Sequence, residues 1–106
     1  METIQEDKGY KWVNAVFAGI INLGYDLFHY QSYTVITNIA VTLKPNPVIG
    51  GSAEIRMIGD DSHTPVFDVA FTKSSSSADY DPTLNAINKV VFYYDGAEAF
   101  YSITVL

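Results

Sequence analysis

The chain has 106 residues, of which 48% are hydrophobic and only 17% are charged. This length suits one domain, and the composition can bury a core, which argues against a disordered chain. Twelve acidic residues against six basic ones give a formal net charge of -6, which repels nucleic-acid phosphates and anionic membranes. We therefore expect no nucleic-acid partner and, since no apolar segment is long enough for a bilayer, no membrane insertion.

Residues 1–9 form a polar N-terminal segment, and residues 10–106 are predicted to form a single β-sandwich domain. The start of this domain is ambiguous, because an apolar stripe at spacings of three and four residues also fits a helix. The stripe consists of Trp12, Val13, Val16, Phe17, Ile20 and Ile21. Gly19 and Gly24 disfavour a helix, and apolar residues alternate from Ile21 toward His29. We favour two strands here, with a short self-associating helix as the alternative.

The middle of the chain alternates between apolar and polar residues, which predicts three strands. The first covers residues 34–43 and ends before Pro45, where the ladder loses a donor. The second is Ser52–Ile58 and the third covers residues 66–72. Their inward side chains are Ala53, Ile55 and Met57, followed by Phe67, Val69 and Phe71. The serine-rich residues 73–82 are predicted to be a surface loop.

Two further strands, Ile87–Tyr94 and Ala99–Val105, are joined through Asp95-Gly96, a dipeptide typical of tight hairpins. The second strand has one apolar and one polar face. The first is apolar on both faces, and a two-layer sandwich covers only one of them, so the surplus face predicts a subunit contact. About six to eight short strands with regular turn signals indicate an all-β fold, an antiparallel β-sandwich or jelly roll.

Little in the sequence indicates chemistry. His29 and His63 have no second histidine at metal-ligand spacing and no serine elbow to activate, so we predict no catalytic residue, metal or cofactor. The loop carboxylates could act as a glycosidase pair or bind calcium, although turn aspartates mostly serve the turn. These carboxylates are Asp60, Asp61, Asp79 and Asp81.

Eight tyrosines and one tryptophan are more than a core of this size usually holds. Aromatic rings at strand ends and in loops can stack on sugars or anchor protein interfaces. We favour core or subunit contacts for these rings, and place any glycan site in the loop at residues 74–81. The candidate ligand-binding residues are Tyr80, Asp79, Asp81, Tyr30 and His63.

Five sequence stretches suggest a family. They are Val-Thr-Leu before a Pro-Asn turn (41–46), Ala-Glu-Ile-Arg-Met-Ile-Gly-Asp-Asp (53–61), Pro-Thr-Leu (82–84), Val-Val-Phe-Tyr-Tyr-Asp-Gly (90–96) and Tyr-Ser-Ile-Thr (101–104). Together they resemble the β-rich modules near the C-termini of bacteriophage tail fibres and other virion appendages, over about two thirds of the chain. The resemblance implies a trimeric sandwich or jelly-roll domain that decorates the particle or contacts the host surface.

Three functions follow as hypotheses. The first, which rests mainly on the resemblance, is a non-enzymatic structural or receptor-binding domain of the virion. It would form a homo-oligomer, a trimer, and contact a host-surface glycan or other virion proteins. The second is a monomeric carbohydrate-binding module, and the third is a small glycan-active hydrolase, which only the aspartates suggest.

Overall fold

A computed structural model describes residues 17–24 and 30–106. All regular structure in these residues is β, in eight strands, and the all-β prediction is confirmed. The strands are β1 (Ile20–Ile21), β2 (Tyr30–Thr34), β3 (Ala40–Leu43), β4 (Ser52–Ile58), β5 (Val66–Phe67), β6 (Phe71–Lys73), β7 (Ile87–Tyr94) and β8 (Ala99–Val105). Within the described ranges there is no helix that could cross a membrane.

The strands form a three-stranded sheet of order β1-β3-β5 and a five-stranded sheet of order β2-β4-β7-β8-β6. From β1 to β6, successive strands alternate between the two sheets. Neighbours in a sheet are therefore parallel here, and the crossover that parallel strands need is a strand of the other sheet. We call β1, β2, β3 and β5 the coil. The name refers to the winding of these strands between the two sheets, in which the chain returns to the same sheet once per turn, and not to irregular structure.

The strands β4, β7 and β8 form an antiparallel unit that we call the meander, joined by seven residue pairs at each of its two ladders. β6 joins the outer side of β8 in parallel. Of the six pairings between described strands, four are parallel. The antiparallel prediction is therefore wrong outside the meander, because consecutive strands of the coil lie in different sheets instead of forming hairpins.

Three predicted strands are confirmed with their bounds: Ser52–Ile58, Ile87–Tyr94 and Ala99–Val105. The Asp95-Gly96 hairpin is also confirmed, although its loop holds four residues, from Asp95 to Glu98. The Asp95 side chain accepts hydrogen bonds from the backbone N–H groups of Ala97 (2.7 Å) and Glu98 (2.8 Å). This aspartate fixes the longer loop in place of a two-residue turn.

The other two predicted strands are interrupted. Residues 34–43 divide into the end of β2 and all of β3, although Val35 and Val41 are both buried as the alternation predicts. The prediction of a single strand over residues 66–72 is wrong, because this stretch contains β5 and β6, which lie in different sheets. Between them the Asp68 carboxylate accepts a hydrogen bond from the Ala70 N–H, and the turn leaves Val69 98% exposed.

The buried apolar residues form one cluster that contains members of both sheets. Phe67 of β5 stacks on Tyr101 of β8 with ring centroids 4.0 Å apart, and lies 6.1 Å from the ring of Phe92 in β7. Phe17, Ile21 and Leu23 are also buried in this cluster. The described part of the stretch for which a helix was the alternative contains the strand β1 and no helix. The rest of that stripe, Trp12, Val13 and Val16, lies outside the described residues, as does His29.

Candidate functional site

The side of the meander that faces away from the core is a broad, half-exposed surface. On β4 the residues Ala53, Ile55 and Met57 are buried, so the residues between them point the other way. β7 and β8 continue the same alternation. We call this surface the outer face; its strand residues are Ser52, Glu54, Arg56, Ile58, Ile87, Lys89, Val91, Tyr93, Phe100, Ser102 and Thr104.

The strand register arranges the outer face in rows. Tyr93 lies opposite Phe100, and their rings stack with centroids 5.5 Å apart and planes 25° from parallel. The next row holds Glu54, Val91 and Ser102, and the one after it holds Arg56, Lys89 and Thr104. Ile58 and Ile87 pair in the last row. Along the strands of the meander, the aromatic row is thus followed by an acidic row, a basic row and an aliphatic row.

The prediction that β7 has a surplus apolar face agrees with this surface. Val90 and Phe92 are fully buried, whereas Val91 is half-buried and Tyr93 is 46% exposed. The predicted polar face of β8 is corrected by Phe100, which lies there beside Tyr93. Phe100 was missed because its neighbours on that face, Ser102 and Thr104, are polar.

A second group of polar residues surrounds the turn after β4. The Asp60 carboxylate accepts hydrogen bonds from the backbone N–H groups of Ser62 (2.9 Å) and His63 (2.8 Å), and His63 Nδ1 lies 2.6 Å from its other oxygen. Hydrogen bonding to the His63 side chain, followed by the backbone bonds, lowers the pKa of Asp60 to about 2. The Asp60 carboxylate therefore joins two backbone N–H groups and the His63 ring in this turn.

Tyr80 lies near this turn and packs its ring on the core. Its hydroxyl is buried and has no hydrogen-bond partner within the described residues. Burial, followed by the negative charges of Asp60 and Asp81, raises the pKa of Tyr80 to about 12. The hydroxyl thus stays protonated and keeps an unused hydrogen.

Asn88 holds the Tyr80 loop in place and is a residue that the sequence reasoning missed. It is fully buried on the inner side of β7. Its Oδ1 accepts a hydrogen bond from the Asp81 N–H (2.8 Å), and its Nδ2 donates to the carbonyl oxygens of Asp81 (2.9 Å) and Met57 (3.2 Å). The signal was present in the sequence, since an asparagine stands at an inward position of an otherwise apolar strand.

The five predicted ligand-binding residues do not form one site. His63, Tyr80 and Asp81 are connected through Asp60 and the loop. Asp79 is paired instead with Lys73 of β6, whose hydrogen bond lowers the pKa of Asp79, and its side chain is 93% exposed. Tyr30 begins β2 opposite Glu54, four residues or roughly 13 Å of strand from the end of β4.

Three of the four loop aspartates lack the electrostatics of a glycosidase acid. Such an acid needs a raised pKa to carry a proton at neutral pH. The pKa values of Asp60, Asp79 and Asp81 are all lowered, the last by hydrogen bonds from Thr83. Among the described residues no group of three or more histidine, cysteine, aspartate or glutamate side chains is arranged to hold a metal ion.

A cleft of about 220 Å³ opens between the two sheets. It is smaller than the roughly 300–1,000 Å³ of typical ligand sites. Polar and apolar surface line it about equally, the polar part including the amide side chains of Asn22 and Gln31, and no titratable side chain of the described residues lines it. The lining residues are Ile20, Ile21, Asn22, Gln31, Ala53 and Ile55.

Comparison with known proteins gives no match: no protein-family model, curated protein or solved structure is significantly similar to this chain.

Proposed function

We propose that this chain is a non-enzymatic structural or receptor-binding module of a virion appendage, and that it self-associates. The observation that carries the proposal is the outer face, where Tyr93 and Phe100 stack in a half-exposed position beside Val91. Exposed aromatic residues are typical anchors of protein interfaces. The resemblance to tail-fibre modules adds the virion location, and it also implies three chains, whereas the outer face by itself supports self-association without fixing the number.

The proposal includes a sandwich architecture, in which the two sheets pack face to face. The stacking of Phe67 on Tyr101, at 4.0 Å between ring centroids, supports it because these residues belong to different sheets. Such packing covers the inner face of each sheet and leaves the outer face for a partner. Parallel pairing in the coil gives no support to a jelly-roll connectivity, which is not part of the proposal.

Light scattering coupled to size exclusion, repeated across a dilution series, tests this proposal. We expect a mass above that of one chain, and the resemblance implies three. A mass of one chain at every concentration would contradict the proposal. Glu98→Arg, in the exposed hairpin loop, is a control that changes charge away from the outer face, and we expect it to keep the wild-type mass.

Carbohydrate binding by a monomer is the second candidate. The unpartnered Tyr80 hydroxyl beside Asp60 and Asp81 supports it: once the loop at residues 74–81 moves and exposes this buried hydroxyl, a sugar hydroxyl can accept its hydrogen and donate to the carboxylates. Packing of the Tyr80 ring on the core disfavours stacking on a sugar face.

A glycan array separates this candidate from self-association. If Tyr80 donates to a sugar, Tyr80→Phe should weaken any detected binding about tenfold, as expected for loss of a buried hydrogen bond of about 1.4 kcal/mol. Tyr93→Phe is the matched control on the outer face and should bind normally. No binding to any glycan, or equal binding by both variants, would contradict carbohydrate recognition at Tyr80.

A further inference from the structure

We propose that the outer face pairs with the outer face of a second copy across a two-fold axis that runs perpendicular to the strands and parallel to the sheet. The axis lies between the acidic row of Glu54 and the basic row of Arg56. This inference rests on the proposed self-association and names its contact, and it predicts two chains in place of the three that the resemblance implies. A two-fold contact uses one surface twice, so the surface must be complementary to itself.

The charges on β4 have this property, whereas on β7 Lys89 of each copy faces Val91 of the other. With a two-fold axis between the second and third rows, each strand lies opposite the same strand of the other copy. The first row of one copy then faces the fourth row of the other, and the second row faces the third. Glu54 of each copy then faces Arg56 of the other, because both belong to β4. The contact therefore contains two symmetry-related ion pairs between oppositely charged side chains.

The apolar rows match in the same arrangement. Tyr93 in the first row of β7 faces Ile87 in the fourth row of the second copy. Phe100 faces Leu106, whose N–H donates to the Ile87 carbonyl oxygen and which continues β8 by one residue. Leu106 is 62% exposed in the single chain, so the pairing would bury apolar surface on both sides of the central ion pairs.

The size of the surface predicts a reversible contact. Four rows on three strands span roughly 27 Å by roughly 15 Å, or about 400 Å² in projection. Stable complexes of standard size bury about 800 Å² on each partner, so this contact belongs among weak, concentration-dependent ones. Repulsion between two chains of net charge -6 also opposes it at low ionic strength.

Charge reversal combined with mixing tests the contact. Glu54→Arg places an arginine opposite Arg56 of the other copy, and Arg56→Glu brings two glutamates together. We expect each variant alone to self-associate at least tenfold more weakly than the wild type in sedimentation equilibrium. An equimolar mixture of the two should recover the wild-type mass of two chains, because every arginine then faces a glutamate across the axis.

Mixing is decisive because a change within one chain cannot be rescued by a second chain. Lys44→Glu and Glu98→Arg, exposed charge reversals off the outer face, are the matched controls and should behave as the wild type. Circular dichroism melting checks that each variant is folded. If Arg56→Glu fails to fold, Tyr93→Ser replaces it, and we expect that variant also to weaken self-association.

The outcomes separate this contact from the proposed function. An oligomer whose mass does not respond to the reversals, or a mass of three chains, would overturn the two-fold contact and leave self-association standing. Failure of the mixture to recover two chains would also overturn it. A monomer at every concentration would overturn both.

Discussion

The meander and the coil are built from the same kind of strand but are held together very differently. Each ladder of the meander has seven residue pairs, whereas β3 is joined to β1 and to β5 by two pairs each. The coil also exposes apolar side chains, with Ile20 58% and Val66 56% exposed. Because local stability follows buried contacts and paired backbone, we expect the coil to open before the meander.

Loop closure adds to this difference. Ile20 pairs with Thr42, 22 positions further along the chain, and Ala40 with Val66, 26 positions further. These two coil turns therefore each order more than twenty residues to gain two ladder pairs, whereas the turn from β2 to β4 gains five. The hairpin of the meander orders four loop residues and gains seven pairs. The entropy lost per pair is therefore larger for β1, β3 and β5 than for the hairpin, which makes these strands depend on the core that the meander supplies.

Removal of the side chain on which both regions pack should destabilise the protein most. Phe92 of the meander is fully buried and its ring lies 6.1 Å from Phe67 of the coil. We expect Phe92→Ala to lower the free energy of unfolding by about 3–5 kcal/mol, measured by urea denaturation, because it leaves a cavity between the sheets.

Tyr93→Ala is the control for that change, since Tyr93 is adjacent in sequence but lies on the outer face. Loss of a cross-strand aromatic pair there should reduce the free energy of unfolding by about 1 kcal/mol at most. Equal losses in the two variants would contradict the placement of the core on one side of β7.

A coil residue should give a more local effect. Ile21 is buried in β1, so Ile21→Ala should remove about 2–4 kcal/mol of stability. In native-state hydrogen exchange, we expect the amides of β1 and β3 to lose protection while those of β7 and β8 keep most of theirs. Uniform loss of protection along the chain would show that coil and meander unfold as one unit.

The difference between the regions also explains which strands the sequence could predict. The meander strands carry their signals locally, with strict alternation and the Asp95-Gly96 dipeptide, and their bounds follow from these. In the coil the alternation of Val35 and Val41 is correct, yet nothing nearby specifies that β3 pairs with residues more than twenty positions away. The parallel pairing of the coil is a property of the assembled core.

The candidate surfaces likewise combine features that the sequence of one strand shows with features that only the fold shows. Alternation along β7 was enough to predict a surplus apolar face, because that signal lies within one strand. The row order of Glu54 and Arg56 against Lys89 requires the register between two strands, which the sequence does not show. Likewise, Tyr80 and Asp60 come together because Asn88 ties the loop at residue 81 to the end of β4, a contact that only the fold makes visible.

Asn88 offers a third test, since it attaches a loop to the meander through three hydrogen bonds. Asn88→Ala leaves the buried backbone groups of Met57 and Asp81 without these partners, and we expect it to cost about 2 kcal/mol in urea denaturation. Asn38→Ala is the matched control in the coil, where an exposed amide accepts one hydrogen bond from the Thr64 N–H. A loss there above about 1 kcal/mol would contradict the idea that burial makes the difference.

The turn between meander and coil and the turn inside the meander should differ slightly in their response to acid. The pKa of Asp60, which follows β4, falls from its ordinary value of 3.8 to about 2 through hydrogen bonding to His63, and that of Asp95 is lowered by the backbone N–H groups of Glu98 and Ala97. Lowered pKa values mean that the unfolded chain takes up protons first as the pH falls. The stability that Asp60 contributes is therefore complete above about pH 4 and is lost toward pH 2.

Asp60→Asn and Asp95→Asn should each reduce the loss of stability in acid, measured by urea denaturation along a pH series. Because the Asp60 turn leads from β4 into β5, acid should weaken exchange protection in the coil first, and Asp60→Asn should remove that preference. Asp95→Asn should leave it unchanged, since its turn joins two strands of the meander. If neither variant altered the order in which the regions lose protection, the Asp60 turn would not be what couples the coil to the meander.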